Sequence, residues 1–308
     1  MRIAIVGAGA IGCLFGILLH KSGQSVILVH HRKATVAYIR ARGLTLQGLS
    51  GKAVKARVIV KKSLTERDNP DLVILTVKAY DTESASRQLK RVLPSAGIPV
   101  LSLQNGLGNI ETITRFLPKY ALIGGTTTEG ALLRKPGDVV HTGEGTSWLG
   151  EIDGRLTGRL NAIKSVLRDA GFRTKASDNI LGVIWSKAIV SCAINPITAI
   201  ARVSNGELLR NPNLLNAALH ILKEGVAVAN ARRVAPAISP VPLLFDILSK
   251  ARTNKSSMLR DIESGRTTEI RQLNGSIVAH GKRSGVDTPF NSLITELVLG
   301  LERVPKPF

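Results

Sequence analysis

The chain has 308 residues, of which 44% are hydrophobic, and this exceeds what one core usually absorbs, so two domains are expected. Two cysteines, Cys13 and Cys192, are too few for a disulfide framework and read as buried thiols of a reducing compartment. A net charge of +20 raises nucleic acid as a partner, but aromatics are only 4% and neither zinc-ligand spacing nor a basic zipper helix is present. No specific nucleic-acid partner and no metal are expected.

The chain opens on a short β-rich run, Ile3–Val6, that leads into Gly7-Ala8-Gly9-Ala10-Ile11-Gly12 and then a helical pattern over Ile11–Lys21. Strand, G-x-G-x-x-G turn and helix together form the dinucleotide-binding fingerprint. Gly7 permits the tight turn, Gly9 lets a pyrophosphate approach the backbone, and Gly12 lets the helix lie close to the strand. The helix N-terminus adds unpaired N–H groups and a partial positive charge. The run from Arg2 to Leu19 also has the length of a signal peptide or a membrane span. Its small residues interrupt the middle, however, and His20-Lys21 closes it. The expectation is a soluble, cytoplasmic protein with no membrane partner.

Further along, Val26–Val29, Leu72–Val77 and Val100–Leu103 read as buried strands. Thr35–Arg42, Thr82–Leu93 and Ile110–Phe116 read as helices. Thr126–Leu149, turning at Pro136-Gly137-Asp138, predicts antiparallel strands that close the sheet. A helix at Leu156–Ala170 and a strand at Phe172–Lys175 complete a first, Rossmann-type α/β domain, 1–177. Beyond Ser177-Asp178 the pattern becomes helical, over Ile180–Ile200, Asn213–Ala231, Pro242–Lys250, Ser257–Ser264, Glu269–Gly281 and Asn291–Leu301. This predicts an all-α second domain, 178–308.

Residues 1–65 contain no Asp or Glu. Most of that excess charge reads as solvated surface, and the rest suits the collection of a polyanionic cofactor and a carboxylate substrate. After the second strand, where NAD-specific proteins of this fold place an acid, the chain has His30-His31-Arg32-Lys33. Arg32 can hold a 2′-phosphate through its planar fork, which favours NADPH. Lys78 and Asn105 follow the fourth and fifth strands, at the edge where ligands of doubly wound sheets bind. Each is also ordinary turn chemistry.

The segment Trp185–Ile200 has the composition of a buried helix, yet Lys187, Ser191 and Asn195 form one polar line at i, i+4 and i+8. An unpaired buried polar group costs about 1–3 kcal/mol, so the line is expected to face a polar cleft. A lysine that snorkels to water is the plainer alternative. Pro196 should loosen or kink this helix beside Asn195. Asn205-Gly206-Glu207 predicts a loop entering a helix. Ser256-Ser257 predicts a helix start whose N–H groups can hold a carboxylate, although capping alone explains the serines.

In order, GAGAIG, TVKAYD, QNGLG, WSKAIVSCAINPITAI, SNGEL and SSMLRDIESGRTTEI resemble the ketopantoate reductase (2-dehydropantoate 2-reductase) family over essentially the whole chain. The resemblance implies NADPH as cofactor, a 2-oxo acid substrate and Lys187 as the general acid. It implies that Asn105 lies near nicotinamide and substrate. Asn195, Asn205 and Ser257, with Ser191, would line the substrate site, and Glu269 would contact the cofactor or organise the site. The family commonly has asparagine where this chain has Ser191, which bears on substrate choice. Another branched 2-oxo acid, or a redox sensor or nucleic-acid binder without turnover, stays open. A homodimer is the candidate assembly.

Overall fold

The structure, a computed structural model, describes residues 1–93 and 97–304. It divides into two compact units, one of Met1–Gln104 with Asn109–Ile180 and one of Asn105–Gly108 with Leu181–Phe308. The loop Asn105–Gly108, expected within the first domain, therefore groups with the helical unit.

The first unit carries strands β1 (Arg2–Val6), β2 (Ser25–Val29), β3 (Leu44–Gln47), β4 (Ala53–Ala56), β5 (Ile59–Lys61) and β6 (Leu72–Leu75). It continues with β7 (Val100–Ser102), β8 (Leu122–Thr127), β9 (Gly130–Lys135), β10 (Asp138–Gly143), β11 (Ser147–Glu151) and β12 (Thr174–Ala176). Its α-helices are α1 (Ala10–Lys21), α2 (Lys33–Arg42), α3 (Thr82–Val92), α4 (Asn109–Thr114) and α5 (Gly158–Asp169).

The large sheet has the order β12-β11-β8-β7-β6-β1-β2-β5. β1 lies parallel between β2 and β6, with Ile3 opposite both Val26 and Leu72. The chain thus winds from β1 outward through β2 and returns to the other flank of β1 as β6. That reversal makes a topological switch point at the carboxyl ends of β1 and β6, where ligands of such sheets bind. Thr76 joins the two ends, donating from its hydroxyl to the Gly7 carbonyl at 2.8 Å and from its backbone N–H to the Val6 carbonyl at 2.9 Å.

The predicted antiparallel closure of the sheet is half right. β11 does pair antiparallel with β8. The hairpin β9–β10 instead joins β3 and β4 in a separate four-stranded sheet, order β4-β3-β10-β9. Burial explains the departure. Leu44, Leu46 and Val139 share a core with Leu14, Phe15 and Ile17 of α1, so the small sheet covers the outer side of that helix. Phe15 stacks on Phe172 at 4.0 Å in the same cluster. On the opposite face of the large sheet, Leu75, Val100 and Leu122 pack with Leu89 of α3 and Ile113 of α4. The strands themselves are covered on both faces, which is why they read as unbroken apolar runs.

The second unit is built on α6 (Ile180–Ala201), followed by α7 (Glu207–Arg210), α8 (Pro212–Ala231), α9 (Pro240–Lys250), α10 (Ser257–Glu263), α11 (Asn274–Ser284) and α12 (Pro289–Leu301). By length and composition alone α6 could cross a membrane, but most of its apolar surface is buried in this unit. Ile189, Val190 and Ala193 of α6 pack with Leu222 of α8, Leu244 of α9, Leu259 of α10 and Ile277 of α11. The helix predicted over Glu269–Gly281 is broken. A short turn, Ile270–Gln272, ends at Leu273 (φ −102°, ψ −101°) before α11 begins. The cause is the Gln272 carbonyl, which accepts the Leu107 N–H at 2.8 Å instead of serving a continuous helix.

The glycine turn has the tightest packing requirement of the first unit. Gly7 has φ +119°, and a β-carbon there would lie 2.6 Å from the Val77 nitrogen. At Gly12 a β-carbon would collide with the Gly7 carbonyl oxygen and reach the Thr76 hydroxyl at 2.6 Å. Gly12→Ala should therefore destabilise the protein by about 1–3 kcal/mol, the usual range for overpacking. A urea denaturation midpoint unchanged from wild type would contradict this packing.

Candidate functional site

In the first unit the strand–turn–helix motif presents backbone rather than side chains. A β-carbon at Gly9 would meet nothing within 4 Å, so open space faces this position, in contrast to Gly7 and Gly12. Gly9 is the N-cap of α1, and no side chain caps that helix. Ala8 is buried behind the turn, while Ala10 and Ile11 are half-buried at the helix start. The N–H groups of the first turn of a helix have no intrahelical acceptor and carry its positive dipole end. The residues thus fit a pyrophosphate on all three counts: an open approach, free donors and positive potential.

Arg32 is exposed at the N-cap of α2, one strand over. Its backbone N–H donates to Nδ1 of His30 at 3.1 Å, and the His30 ring stacks on His31 at 4.8 Å between centroids. Burial, then the neighbouring His31 and Arg32, lowers the pKa of His30 below the ordinary histidine value. The neutral form of the His30 ring is therefore favoured beside the Arg32 charge. Lys78 follows β6 and precedes the turn Ala79–Asp81, which puts it beside the switch point. The backbone there is anchored by Gln104, whose Nε2 donates to the Val77 carbonyl at 3.1 Å and to the Thr82 hydroxyl at 2.7 Å. Gln104 is not among the site residues expected from the sequence; a polar side chain closing a fully buried strand is the signal that marks it.

In the second unit the polar line on α6 takes physical form. Most of the helix is buried, whereas Lys187, Ser191 and Asn195 are half-buried together on one face. The Lys187 Nζ donates to Oδ1 of Asn105 at 2.6 Å. Gly106 holds that asparagine in place through φ +83°, and a β-carbon on it would lie 2.6 Å from the Gln272 carbonyl oxygen. With Leu107 bonded to the same carbonyl, the loop is pinned to the turn that follows Glu269. Glu269 is only 5% exposed. The structure therefore brings Lys187, Asn105 and Glu269 into one cluster.

Electrostatics bears on the protonation of Lys187. Burial pushes the Lys187 ammonium down from 10.5 to about 8, with the Glu269 carboxylate opposing the fall. At pH 7 the amine is still mostly protonated. A pKa nearer the working pH makes it a better proton donor than a free lysine.

The remaining candidates lie on elements around α6. Asn205, 7% exposed, sits in the loop after α6, with its N–H bonded to the Asn254 carbonyl at 2.9 Å. Its Oδ1 is buried and has no hydrogen-bond partner among the described residues. Such an atom costs about 1–3 kcal/mol unless something donates to it, which makes Asn205 a candidate for holding a ligand. At the start of α10 the two serines separate. Ser256 is the cap: its hydroxyl accepts from the Leu259 N–H at 3.1 Å and from the Thr198 hydroxyl of α6 at 2.7 Å. Ser257 is exposed in the first helical position. Capping thus accounts for Ser256 and leaves Ser257 unexplained by structure.

Pro196 does not break α6, which runs through it to Ala201. The expected loosening is offset from outside the helix. The Cys192 carbonyl, whose intrahelical donor the proline removes, accepts from Nδ2 of Asn274 at 3.1 Å. Sequence reasoning missed Asn274. The proline announced an unpaired carbonyl, but its donor lies 82 residues away.

Comparison with known proteins agrees with this geometry. Residues 3–154 match the family "Ketopantoate reductase PanE/ApbA", and residues 179–302 match its C-terminal counterpart. A 2-dehydropantoate 2-reductase of Archaeoglobus fulgidus is 40% identical over 98% of both chains, and one of Pyrococcus abyssi is 37% identical over 98% of both. Among solved structures, a PanE/ApbA family ketopantoate reductase from Ralstonia eutropha superposes with a TM-score of 0.88 at 31% identity, covering 98% of each chain. A D-mandelate dehydrogenase with NADH and anilino(oxo)acetate superposes with a TM-score of 0.87 at 30% identity, also over 98% of each. The chain belongs to the ketopantoate reductase family, and it is an oxidoreductase of the class that acts on CH–OH groups.

The charge assignment at Lys187 can be checked directly. With its side-chain nitrogen observed by NMR in the unliganded protein, Lys187 should titrate near pH 8. Glu269→Gln should move that titration lower, since it removes the carboxylate that opposes desolvation. A midpoint at the ordinary lysine value would contradict the buried ammonium.

Proposed function

We propose that this protein reduces the C2 ketone of ketopantoate to pantoate with NADPH as the electron donor. The observation that carries the proposal is the half-buried Lys187 ammonium, held on Asn105 and facing Glu269 at the head of the polar line. Family membership and the named relatives supply the substrate class.

Bound NADPH would supply hydride to the ketone carbon. The turn Gly7–Gly12 and the start of α1 would hold its pyrophosphate, Arg32 its 2′-phosphate, and Lys78 the region beside the switch point. Lys187 donates the proton that the ketone oxygen needs as negative charge develops there. Asn105 keeps Nζ directed by accepting one of its hydrogens, and two further donors on the ammonium remain for substrate. Glu269 favours the charged form of the amine before the reaction. Ser191, Asn195 and the unpartnered Oδ1 of Asn205 would orient the substrate's hydroxyl and carbonyl oxygens. Ser257 would donate to its carboxylate. We place the activity in the cytoplasm, where the two buried, unpaired thiols Cys13 and Cys192 are at home.

A second reading, reduction of a different 2-oxo acid, is favoured by the likeness to D-mandelate dehydrogenase and by Ser191. A serine leaves more room and lacks the fixed amide geometry of asparagine. Rates with ketopantoate, ketoisovalerate and phenylglyoxylate, each with NADPH and with NADH, separate the readings. The first predicts the highest kcat/KM for ketopantoate with NADPH, and a clear preference for another acid would replace it.

Two substitutions test the assigned roles. Lys187→Ala should lower kcat by about 10²–10⁴, the range for a lost general acid, while NADPH binding measured by fluorescence survives. Near-normal turnover would remove Lys187 from the chemistry. Arg32→Ala should raise the KM for NADPH at least tenfold, corresponding to roughly 1.5–3 kcal/mol for a charged hydrogen bond, with little effect on NADH. Equal effects on the two cofactors would show that Arg32 does not read the 2′-phosphate.

A further inference from the structure

The proline inside α6 raises a question that its neighbours answer. Pro196 has no N–H, so the Cys192 carbonyl loses its helical partner, and the proline ring crowds that oxygen outward. Cys192 lies one residue beyond Ser191 and three before Asn195. Any slack in the backbone there would alter the spacing of the polar line itself. The helix nevertheless stays continuous over 22 residues.

What spans the defect is a polar chain through four helices. Asn274, fully buried at the first position of α11, uses both hydrogens of its amide: one donates to the Cys192 carbonyl at 3.1 Å and one to Oδ1 of Asn291 at 3.0 Å. Asn291, also fully buried, donates from Nδ2 to the Ile221 carbonyl at 3.1 Å and to Oε2 of Glu224 at 2.7 Å. Glu224 in turn accepts from the Phe290 and Asn291 N–H groups at 2.8 and 2.9 Å, capping α12. The path runs α6, α11, α12, α8. Its cost is visible, because Oδ1 of Asn274 is buried without a partner among the described residues. An apolar residue would remove that orphan but strand two others, the Cys192 carbonyl and Oδ1 of Asn291.

Asn274 also opens the helix that follows Glu269 and Gln272. The same short segment therefore fixes three things: the carboxylate facing Lys187, the carbonyl holding the Asn105 loop, and the amide bracing α6 between Ser191 and Asn195. We propose that Asn274 is a positioning residue for this reaction, supplying the hydrogen bond that Pro196 removes and so keeping Ser191 and Asn195 in register with Lys187. It touches neither substrate nor cofactor. This inference rests on the reductase reading above.

The proline makes the proposal unusually testable. Pro196→Ala restores an N–H that can serve the Cys192 carbonyl, so the need for Asn274 should fall when the proline is gone. The experiment is a double-mutant cycle of wild type, Asn274→Leu, Pro196→Ala and the double variant, measured as kcat and KM with ketopantoate and NADPH. Asn274→Leu should reduce kcat/KM about 30-fold, mainly through KM for the keto acid, with the Kd for NADPH unchanged. Pro196→Ala alone should stay within about threefold of wild type. In the Pro196→Ala background the Asn274→Leu penalty should shrink to about threefold.

A penalty equal in both backgrounds would overturn the proposal, as would a fall in Tm with kcat/KM preserved. If Asn274→Leu does not fold, the same cycle with Asn274→Ser carries the same expectations at smaller amplitude. If wild type turns over none of the 2-oxo acids named above, the reductase reading fails and this inference with it. Equal penalties in an active enzyme defeat only the inference.

Discussion

A lysine ammonium set into the partly covered face of a buried helix is the constraint around which the helical unit is arranged. Burial alone would drive Lys187 toward the neutral amine, and its pKa does fall to about 8. Three features resist the fall or use it. Asn105 accepts from Nζ, Glu269 supplies the opposing charge, and the line Ser191–Asn195 continues the polarity along the helix. Each depends on a backbone device elsewhere. Gly106 lets the Asn105 loop reach the Gln272 carbonyl, and that carbonyl ends the short turn that Glu269 begins. The outcome is an ammonium group whose pKa lies close to neutral pH, where proton transfer in both directions is easiest.

The first unit works by different means. Its candidate cofactor-binding surface is almost entirely backbone: a glycine turn closed by Thr76, a bare helix N-terminus, and strand ends at a switch point. Side-chain charge enters mainly at Arg32 and Lys78, against a background of 65 residues without an acid. Such a surface attracts polyanions at long range and leaves discrimination to a few positions. The helical unit, by contrast, spends buried polar groups. Asn205 and Asn274 each have a buried oxygen unpaired among the described residues. The two have different explanations: Asn205 lies among the residues assigned to substrate, whereas Asn274 maintains the helix that carries them.

Much of this was legible in the chain. The fingerprint at Gly7–Gly12 located β1 and α1 because its glycines answer to local geometry. The polar line on α6 could be read because a 3.6-residue period maps directly onto a helix face. Element identity survived best where the apolar period was long, as in α6 and α8. What was hidden depends on contacts distant in sequence. The short strands β3 and β4 lack a strong apolar run, and their hairpin partners looked equally able to extend the large sheet. The break after Glu269 is imposed by Leu107, and the brace at Cys192 by Asn274; neither residue announces its partner locally. Ser256 and Ser257 are equivalent by type, and the contacts of the Leu259 N–H and the Thr198 hydroxyl distinguish the cap. The depressed pKa of Lys187 likewise depends on a three-dimensional environment that spacing cannot supply.

The account is tested most directly by a crystal structure of the ternary complex with NADP⁺ and a non-reacting 2-oxo acid. It requires the C2 oxygen of the acid to accept a hydrogen bond from Nζ of Lys187, at roughly 2.6–3.2 Å. It also requires the nicotinamide carbon that carries the hydride to face C2. A 2-oxo acid bound with its ketone turned away from Lys187, or hydrogen-bonded to some other proton donor, would contradict it.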